Sequence, residues 1–113
     1  MGTPSASTIV GTMIIAIVYF HLPEPMSVDK ARQAFEASAP SYQNIDGLRR
    51  KHYLVAEDGT NAGGVYLWDS KAQAEALYTQ EWSDRLAARY GSAPMVRYYE
   101  SPVQVDPNAI TLT

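Results

Sequence analysis

The chain contains no cysteine among its 113 residues. This absence excludes disulfide frameworks, iron–sulfur clusters, thiolate zinc sites and thiol nucleophiles. Histidine is scarce as well, because His21 and His52 are the only two. A zinc or iron site needs three or more protein ligands in register, and neither histidine lies near a carboxylate motif. We therefore expect no metal site.

Positive charge is also limited. The 12 acidic residues outnumber the 9 basic ones, and the net charge is −3. Nucleic-acid-binding proteins normally carry a basic patch, so we expect no nucleic-acid partner.

Long apolar runs are missing. The longest, residues 14–20, is much shorter than the ~20 residues that cross a bilayer. Residues 1–12 carry no charged side chain and so lack the basic start of a secretory signal. We expect a cytoplasmic protein without a membrane partner.

Tyrosine, in contrast, is abundant. The chain has 8 tyrosines against 2 tryptophans and 2 phenylalanines. A ring that carries a polar group suits a pocket or an interface better than a plain core. Composition alone does not distinguish between these two uses.

The length supports one domain and is too short for two full cores. We assign residues 1–12 to a disordered leader or an appended extension. Residues 13–106 form the predicted domain, and residues 107–113 form a C-terminal tail.

The order of secondary structure predicts the fold. Strands are expected at residues 13–22, 48–55, 64–68 and 95–100, because these runs are short, apolar and rich in β-branched or aromatic residues. A first helix begins after the N-cap Ser27 and ends at Pro40. A second helix follows an N-cap at Asp69 or Ser70, and Ser70 with Gln73 fits a capping box. A further helical segment spans residues 80–90 and ends at Gly91. This βαββαβ order predicts an α+β, ferredoxin-like fold with a four-stranded antiparallel sheet and helices on one face.

The second face of such a sheet would lie in water. Here the strands are apolar and aromatic at both alternating sets of positions, which is unfavourable for an exposed face. We therefore predict a homodimer that forms through the sheet faces.

Residues 47–91 resemble the YdhR-like mono-oxygenase family of the dimeric α/β-barrel superfamily, which also includes antibiotic-biosynthesis mono-oxygenases. The start of the domain, FHLPEPMS at residues 20–27, is similar to this family as well. The resemblance implies a dimeric barrel and mono-oxygenase activity. It rests on Gly47-Leu48, Lys51, the segment GGVYLW at residues 63–68, and Arg89-Tyr90-Gly91.

Two departures from related branches narrow the expected chemistry. Haem-degrading members use a histidine on the second helix, where this chain has Ala87, so haem degradation is not expected. Quinone-forming oxygenases carry a tryptophan at the end of the third strand, which matches Trp68. They also carry an asparagine earlier on that strand, where this chain has Gly64, and this difference weakens the oxygenase interpretation.

Neighbouring strands suggest a binding site. Lys51 and Tyr53 share one strand parity, and Tyr66 and Trp68 share one parity on the next strand. A pairing in which residue numbers sum to about 119 would place Lys51 opposite Trp68 and Tyr53 opposite Tyr66. Such a set can bind an aromatic anion, because rings stack on it and the lysine stabilises its charge. An aromatic ladder in the dimer core with a snorkelling lysine is an equally weighted alternative.

The last helix and the second strand add further candidates. Trp82 and Tyr90 recur at helical spacing, which favours a core role over ligand contact. Arg85 and Arg89 lie beside that stripe and could reach an anion, although pairing with nearby carboxylates is favoured. His52 is a candidate general base because histidine titrates near neutrality, with a structural hydrogen bond as the alternative.

The sequence thus predicts a mono-oxygenase that acts on a small aromatic or polycyclic phenolic substrate without a metal or any other cofactor. A cyclase or isomerase using the same pocket, and a non-catalytic ligand-binding or interaction protein, remain as alternatives. The predicted catalytic residues are His52, Lys51 and Trp68, and the predicted substrate-binding residues are Tyr53, Tyr66, Trp82, Arg89 and Tyr90.

Overall fold

The computed structural model describes residues 12–107 of the chain. The predicted leader, apart from residue 12, and most of the predicted tail lie outside the described residues. The strands are β1 (Met13–His21), β2 (Leu48–Val55), β3 (Asn61–Trp68) and β4 (Met95–Ser101). The helices are α1 (Val28–Ser38), α2 (Lys71–Leu77) and α3 (Gln80–Tyr90), and a short 3₁₀ turn (Ala39–Tyr42) follows α1.

The four strands form one antiparallel sheet in the order β2-β3-β1-β4. The predicted α+β, ferredoxin-like fold is therefore confirmed. The core lies between one face of this sheet and the helices. Its sheet side includes the fully buried Ala16, Val18 and Trp68, and its helix side includes Ala31 and Trp82.

Local sequence signals place the helix ends where they were predicted. The side chains of Ser27, Ser70 and Thr79 each accept a hydrogen bond from a backbone N–H in the first turn of the following helix, at 3.1–3.2 Å. Such caps satisfy donors that have no partner within the helix. Gly91 ends α3 in the left-handed conformation, with φ of 94°, which suits a residue without a Cβ.

The hairpin between β2 and β3 is tighter than the sequence predicted. The carboxylate of Asp58 accepts hydrogen bonds from the backbone and hydroxyl groups of Thr60, at 3.0 and 2.7 Å. The N–H of Ala56 donates to the carbonyl of Asn61 at 2.9 Å, which closes the loop. As a result β3 begins at Asn61, three residues before the predicted start.

The predicted pairing between β2 and β3 was wrong by two residues for the same reason. Lys51 lies opposite Tyr66, and Tyr53 lies opposite Gly64. Because side chains alternate with a period of two along a strand, a shift of two residues leaves every side chain on its expected face. The predicted set of rings and one cation therefore still gathers on one side of the sheet.

A bulge near the start of β2 alters the register once more. Leu48 pairs with Trp68, but Arg50 pairs with Leu67, so Arg49 is the extra residue. The guanidinium of Arg49 donates to the carboxylate of Asp69 at 2.7 Å on the surface. The bulge thus leaves Arg49 without a partner in β3, and its side chain lies on the surface.

The second face of the sheet, here called the outer face, carries side chains of the opposite strand parity. In the described part of the chain the helices pack on the other face. Leu54, Met95 and Tyr99 on the outer face are 42%, 55% and 49% exposed. The rest of this apolar surface comes from Ile15, Ile17, Tyr19, Val65 and Leu67, which are partly buried. None of the helices within residues 12–107 is long and apolar enough to cross a bilayer.

The close approach of β1 to β3 requires a residue without a side chain at position 63. A Cβ added to Gly63 would overlap the backbone carbonyl of Val18, which has no freedom to move. A Cβ added to Gly64 would lie 3.0 Å from the carbonyl oxygen of His52, a much milder contact.

We expect Gly63→Ala to lower the free energy of unfolding by about 3 kcal/mol, the upper end of the usual cost of overpacking. Gly64→Ala, the matched variant, should cost about 1 kcal/mol. Denaturant unfolding of both variants checks this, and equal stabilities would contradict the close approach.

Candidate active site

A cavity of about 710 Å³ lies between the sheet and the helices. This volume falls within the usual range for small-molecule sites. Strands β1, β2 and β3 provide its floor, whereas α1, the 3₁₀ turn and α3 provide its walls. Most of the predicted site residues line it, namely Lys51, Tyr53, Tyr66, Trp82, Arg89 and Tyr90.

The Lys51 side chain lies inside a group of aromatic rings. Its Nζ is 3.2 Å from the ring centroid of Tyr42, 3.8 Å from that of Tyr53 and 4.7 Å from that of Tyr66. We call these three rings the tyrosine cage. A cation over a ring face is stabilised by about 2 kcal/mol when it is shielded from water. The cage is therefore a strong site for a positive charge.

Tyr42 was missed as a site residue, because the sequence placed it in a loop. It ends the 3₁₀ turn that continues α1 beyond Ser38, and this turn folds the ring back over the sheet. The signal that could have found it is Pro40, since proline favours the first positions of such a turn.

Burial changes the protonation of Lys51. It lowers the pKa of the Lys51 amine to about 7, because the charged form loses its water shell. No carboxylate lies within ion-pair distance of Lys51 among the residues described. The faces of the tyrosine cage act in the opposite direction by stabilising the ammonium form. The amine is thus held close to the point at which it gains or loses a proton near neutral pH.

Three tyrosines of the cavity are held as neutral phenols by burial. Burial raises the pKa of Tyr66, of Tyr53 and of Tyr90 above the ordinary value. At neutral pH these hydroxyl groups can therefore donate hydrogen bonds to a ligand but carry no negative charge.

A hydrogen-bond chain holds Tyr53 in place. The hydroxyl of Ser38 donates to the carbonyl of Phe35 at 3.1 Å, so it accepts from the hydroxyl of Tyr53, 2.7 Å away. The ring of Tyr53 also stacks on Phe35, with centroids 4.6 Å apart. These contacts with α1 fix one side of the tyrosine cage.

Trp82 fixes the opposite side. It is only 3% exposed, and its indole N–H donates to the hydroxyl of Tyr42 at 3.0 Å. Because Trp82 lies on α3, this bond ties the 3₁₀ turn to the last helix and holds the Tyr42 ring over Lys51. The sequence favoured a core role for Trp82, and the structure shows it both buried and lining the cavity.

Trp68 lies one layer beneath the cavity. It is fully buried, its ring is parallel to that of Tyr66 at 6.4 Å, and its indole N–H donates to the hydroxyl of Tyr78 at 3.1 Å. It does not line the cavity and contacts it through Tyr66. Its geometry is that of a residue that positions Tyr66.

His52 lies on the outer face. It is exposed, and its partner across the ladder is Val65. Neighbouring residues of a strand point to opposite faces, so Lys51 and His52 cannot both line the cavity of one chain. The predicted proton acceptor is thus separated from the predicted anion site by the sheet itself.

Two arginines of α3, Arg85 and Arg89, line the cavity as well. The favoured alternative, an ion pair with Glu81 or Asp84, is absent from the described part of the chain. Asp84 instead accepts a hydrogen bond from Gln80 at 2.8 Å. Arg85 thus has no ion pair within the described residues, whereas the Arg89 guanidinium interacts with the Tyr90 hydroxyl at the cavity wall. Within residues 12–107 no group of three or more potential metal-ligating side chains occurs.

The family model described as "Putative mono-oxygenase ydhR" matches residues 15–102. The chain belongs to this family. This membership confirms the resemblance that residues 47–91 showed, and it supports a mono-oxygenase-like function. A search of curated proteins gave no match.

Solved structures share the fold of this ydhR-family chain at low sequence identity. A monooxygenase from the gene ActVA-Orf6 of Streptomyces coelicolor, in complex with the ligand Nanaomycin D, has a TM-score of 0.65 and 16% identity, over 83% of this chain and 91% of its own. A protein of Nitrosomonas europaea described as a putative antibiotic biosynthesis monooxygenase has a TM-score of 0.57 and 20% identity, over 88% and 97% of the two chains. A protein of Shewanella oneidensis has a TM-score of 0.58 and 13% identity, over 83% and 95%. At these identities the likeness establishes the fold.

The bond from Trp82 to Tyr42 generates a test of the site in this ydhR-family chain. Tyr42→Phe keeps the ring over Lys51 but leaves the buried indole N–H of Trp82 without its acceptor. We expect the free energy of unfolding to fall by about 1 to 2 kcal/mol, the usual cost of an unsatisfied buried donor. Tyr98→Phe is the control, because the Tyr98 hydroxyl makes no hydrogen bond in the described residues and should cost under about 0.5 kcal/mol. Equal effects of the two variants in denaturant unfolding would refute this role of Tyr42.

Proposed function

We propose that the chain is a mono-oxygenase that oxidises a small aromatic or polycyclic phenol with dioxygen, without flavin, haem or metal. The observation that carries the proposal is an aromatic-walled cavity with a single buried amine at its floor. Rings along both walls can stack on a flat substrate, and the amine offers a positive charge to its oxygen.

The reaction can take its electrons from the substrate. A phenolate is electron-rich, so its ring carbon can form a bond with dioxygen directly. One oxygen atom stays on that carbon as a new carbonyl, and the other leaves as water with the ring hydrogen and the phenolic hydrogen. Phenol and dioxygen thus give a quinone and water, and the balance needs no outside reductant.

The side chains of the cavity divide into two roles in this proposal. Tyr53, Tyr66, Trp82 and Tyr90 hold the ring of the substrate. Lys51 and Arg89 stabilise the negative charge that develops on oxygen, where fixed charges in a poorly hydrated site are most effective. Trp68 acts as a positioning residue through Tyr66.

Oxygen uptake tests the proposal. A panel of phenols and naphthols is mixed with the full chain in an oxygen electrode cell, and the products are analysed after reaction in ¹⁸O₂. We expect one labelled oxygen atom per product molecule. Lys51→Met should lower kcat/KM by about 100-fold, the usual loss when one electrostatic stabiliser is removed. Lys30→Met, an exposed lysine on α1, is the matched control and should react as the wild type does. Absence of oxygen uptake across the panel would refute the oxygenase.

A non-redox cyclase or isomerase is the second candidate. Gly64 favours it, since quinone-forming relatives carry an asparagine there and this chain has no side chain at that position. Its space is filled by the Lys51 stem and the Tyr66 ring, within 3.4 Å of where a Cβ would be. Conversion of a phenolic substrate under anaerobic conditions would support this candidate, and binding without any conversion would support a non-catalytic ligand-binding protein.

We also propose that two copies of the chain associate through their outer faces. Support comes from the continuous apolar surface of Ile15, Ile17, Val65 and Leu67, which the described helices do not cover. Burial of apolar area is the main force in most protein association.

A charge at the centre of the outer face tests the dimer. Ile17 pairs with Val65 on one side and Arg97 on the other, so Ile17→Asp would bury a carboxylate in the interface. Light scattering should report a dimer for the wild type and a monomer of 12.5 kDa for this variant. Val28→Asp is the control, because Val28 is an exposed apolar residue on α1 and the variant should stay dimeric. A monomeric wild type would overturn the proposal.

A further inference from the structure

We propose that Lys51 is the proton acceptor of the cavity, and that the site takes up neutral phenols and ionises them there. This inference rests on the proposed function, because it concerns how the same cavity prepares the same class of substrate. The sequence predicted His52 as the general base, and this inference gives that role to Lys51.

The lining of the cavity leaves one candidate. No aspartate, glutamate or histidine lines it within the described residues. Arg85 and Arg89 keep their protons at all relevant pH values. The lining tyrosines are neutral phenols, and a neutral phenol is a poor proton acceptor. The Lys51 amine is the remaining group with a lone pair that can accept a proton near neutrality.

The surroundings of Lys51 suit both states of such a transfer. Before it, burial and the absence of a carboxylate favour the neutral amine. After it, the tyrosine cage stabilises the ammonium, and the phenolate formed beside it supplies the missing negative charge. The charge of the amine therefore becomes favourable at the moment the substrate ionises.

The titratable groups that face this site come from several elements. β2 contributes Tyr53, β3 contributes Tyr66, and the 3₁₀ turn contributes Tyr42. Helix α3 contributes Arg85, Arg89 and Tyr90, and α1 contributes no titratable group to the cavity lining. The two arginines are positive, so they can stabilise the phenolate in the filled cavity.

The transfer balances within the cavity. The O–H bond of the phenol breaks, its electron pair stays on oxygen, and the proton forms a new bond with Nζ of Lys51. In the proposed oxygenation the same proton leaves in the water that carries away the second oxygen atom. The substrate class that fits is a phenol or enol that is neutral in water, since a neutral molecule enters a poorly hydrated cavity at lower cost than an anion.

The number of protons exchanged with the buffer tests this inference. The probe is 2-naphthol, which is neutral in water near pH 7 and absorbs differently as naphtholate. Calorimetry in buffers of different ionisation enthalpy counts the protons, and the absorption spectrum reports the ionisation of the bound probe. Below about pH 7 the amine already holds a proton, so ionised binding must release about one proton to the buffer. Above about pH 7 the amine takes up the proton itself, and the release should fall to about zero.

Variants of Lys51 give distinct results at a pH above 7. Lys51→Arg offers a permanent cation that cannot accept a proton, so naphtholate should bind with release of about one proton. Lys51→Met should bind the probe in its neutral form. Lys30→Met should behave as the wild type does. Neutral naphthol bound to the wild type, or equal proton release by the wild type and Lys51→Arg, would overturn the proposal.

A measurement without ligand covers the case in which naphthol does not bind. Lys30, Lys51 and Lys71 are the lysines of the chain, so selective ¹³C labelling of lysine gives few signals, and Lys51→Met assigns the one of interest. Its Cε shift should titrate near pH 7, well below the ordinary range of lysine. Titration of this signal in the ordinary lysine range would refute the proton-acceptor role. Ionisation of the probe by Lys51 without any oxygen uptake would instead leave this role intact and refute the oxygenase.

Discussion

The structure depends on one constraint, which is that the Lys51 amine is enclosed by tyrosine rings and faces no carboxylate from residues 12–107. Removing an amine from water is costly, and the faces of Tyr42, Tyr53 and Tyr66 offset part of that cost when the amine is charged. The walls of the cavity are arranged around this group. Contacts with α1 hold Tyr53, and a bond from Trp82 on α3 holds Tyr42. Helices α1 and α3 are thereby connected to the same point on the sheet.

The pleat of the sheet separates two functions that the chain carries side by side. Lys51 and His52 are consecutive, yet one lines the cavity and the other lies on the outer face, because successive side chains of a strand point in opposite directions. The same alternation places Tyr66 in the cavity floor and both Val65 and Leu67 on the outer face. Of the eight tyrosines, four line the cavity, two lie on the outer face, and Tyr78 and Tyr98 pack against the core. The cavity thus takes the largest share of the tyrosines that stood out in the composition.

The ydhR family and its structural neighbours share a fold more closely than they share residues. The solved structures retain the same arrangement at 13–20% identity, so the βαββαβ scaffold tolerates wide variation in the side chains it presents. In this chain a glycine occupies position 64 of β3, close to Lys51 and Tyr66. Gly64 leaves space, and the Lys51 stem and the Tyr66 ring occupy it. The chemistry proposed for the chain therefore follows from its own floor residues and not from the scaffold.

The sequence by itself determined the order of elements, the helix cap at Ser27, and which strand residues share a face, because these depend on local chemistry and on a period of two. It also identified most of the cavity lining, since Lys51, Tyr53 and Tyr66 share a parity that even a register error of two residues preserves. Tertiary structure alone decided that Tyr42 closes over Lys51, that Trp68 lies beneath the cavity, and that the lysine is buried without a counter-charge from the part of the chain that the structure describes. These features depend on where the 3₁₀ turn folds back and on how α3 packs against it. Such contacts join residues far apart in the chain, and no local pattern encodes their distances.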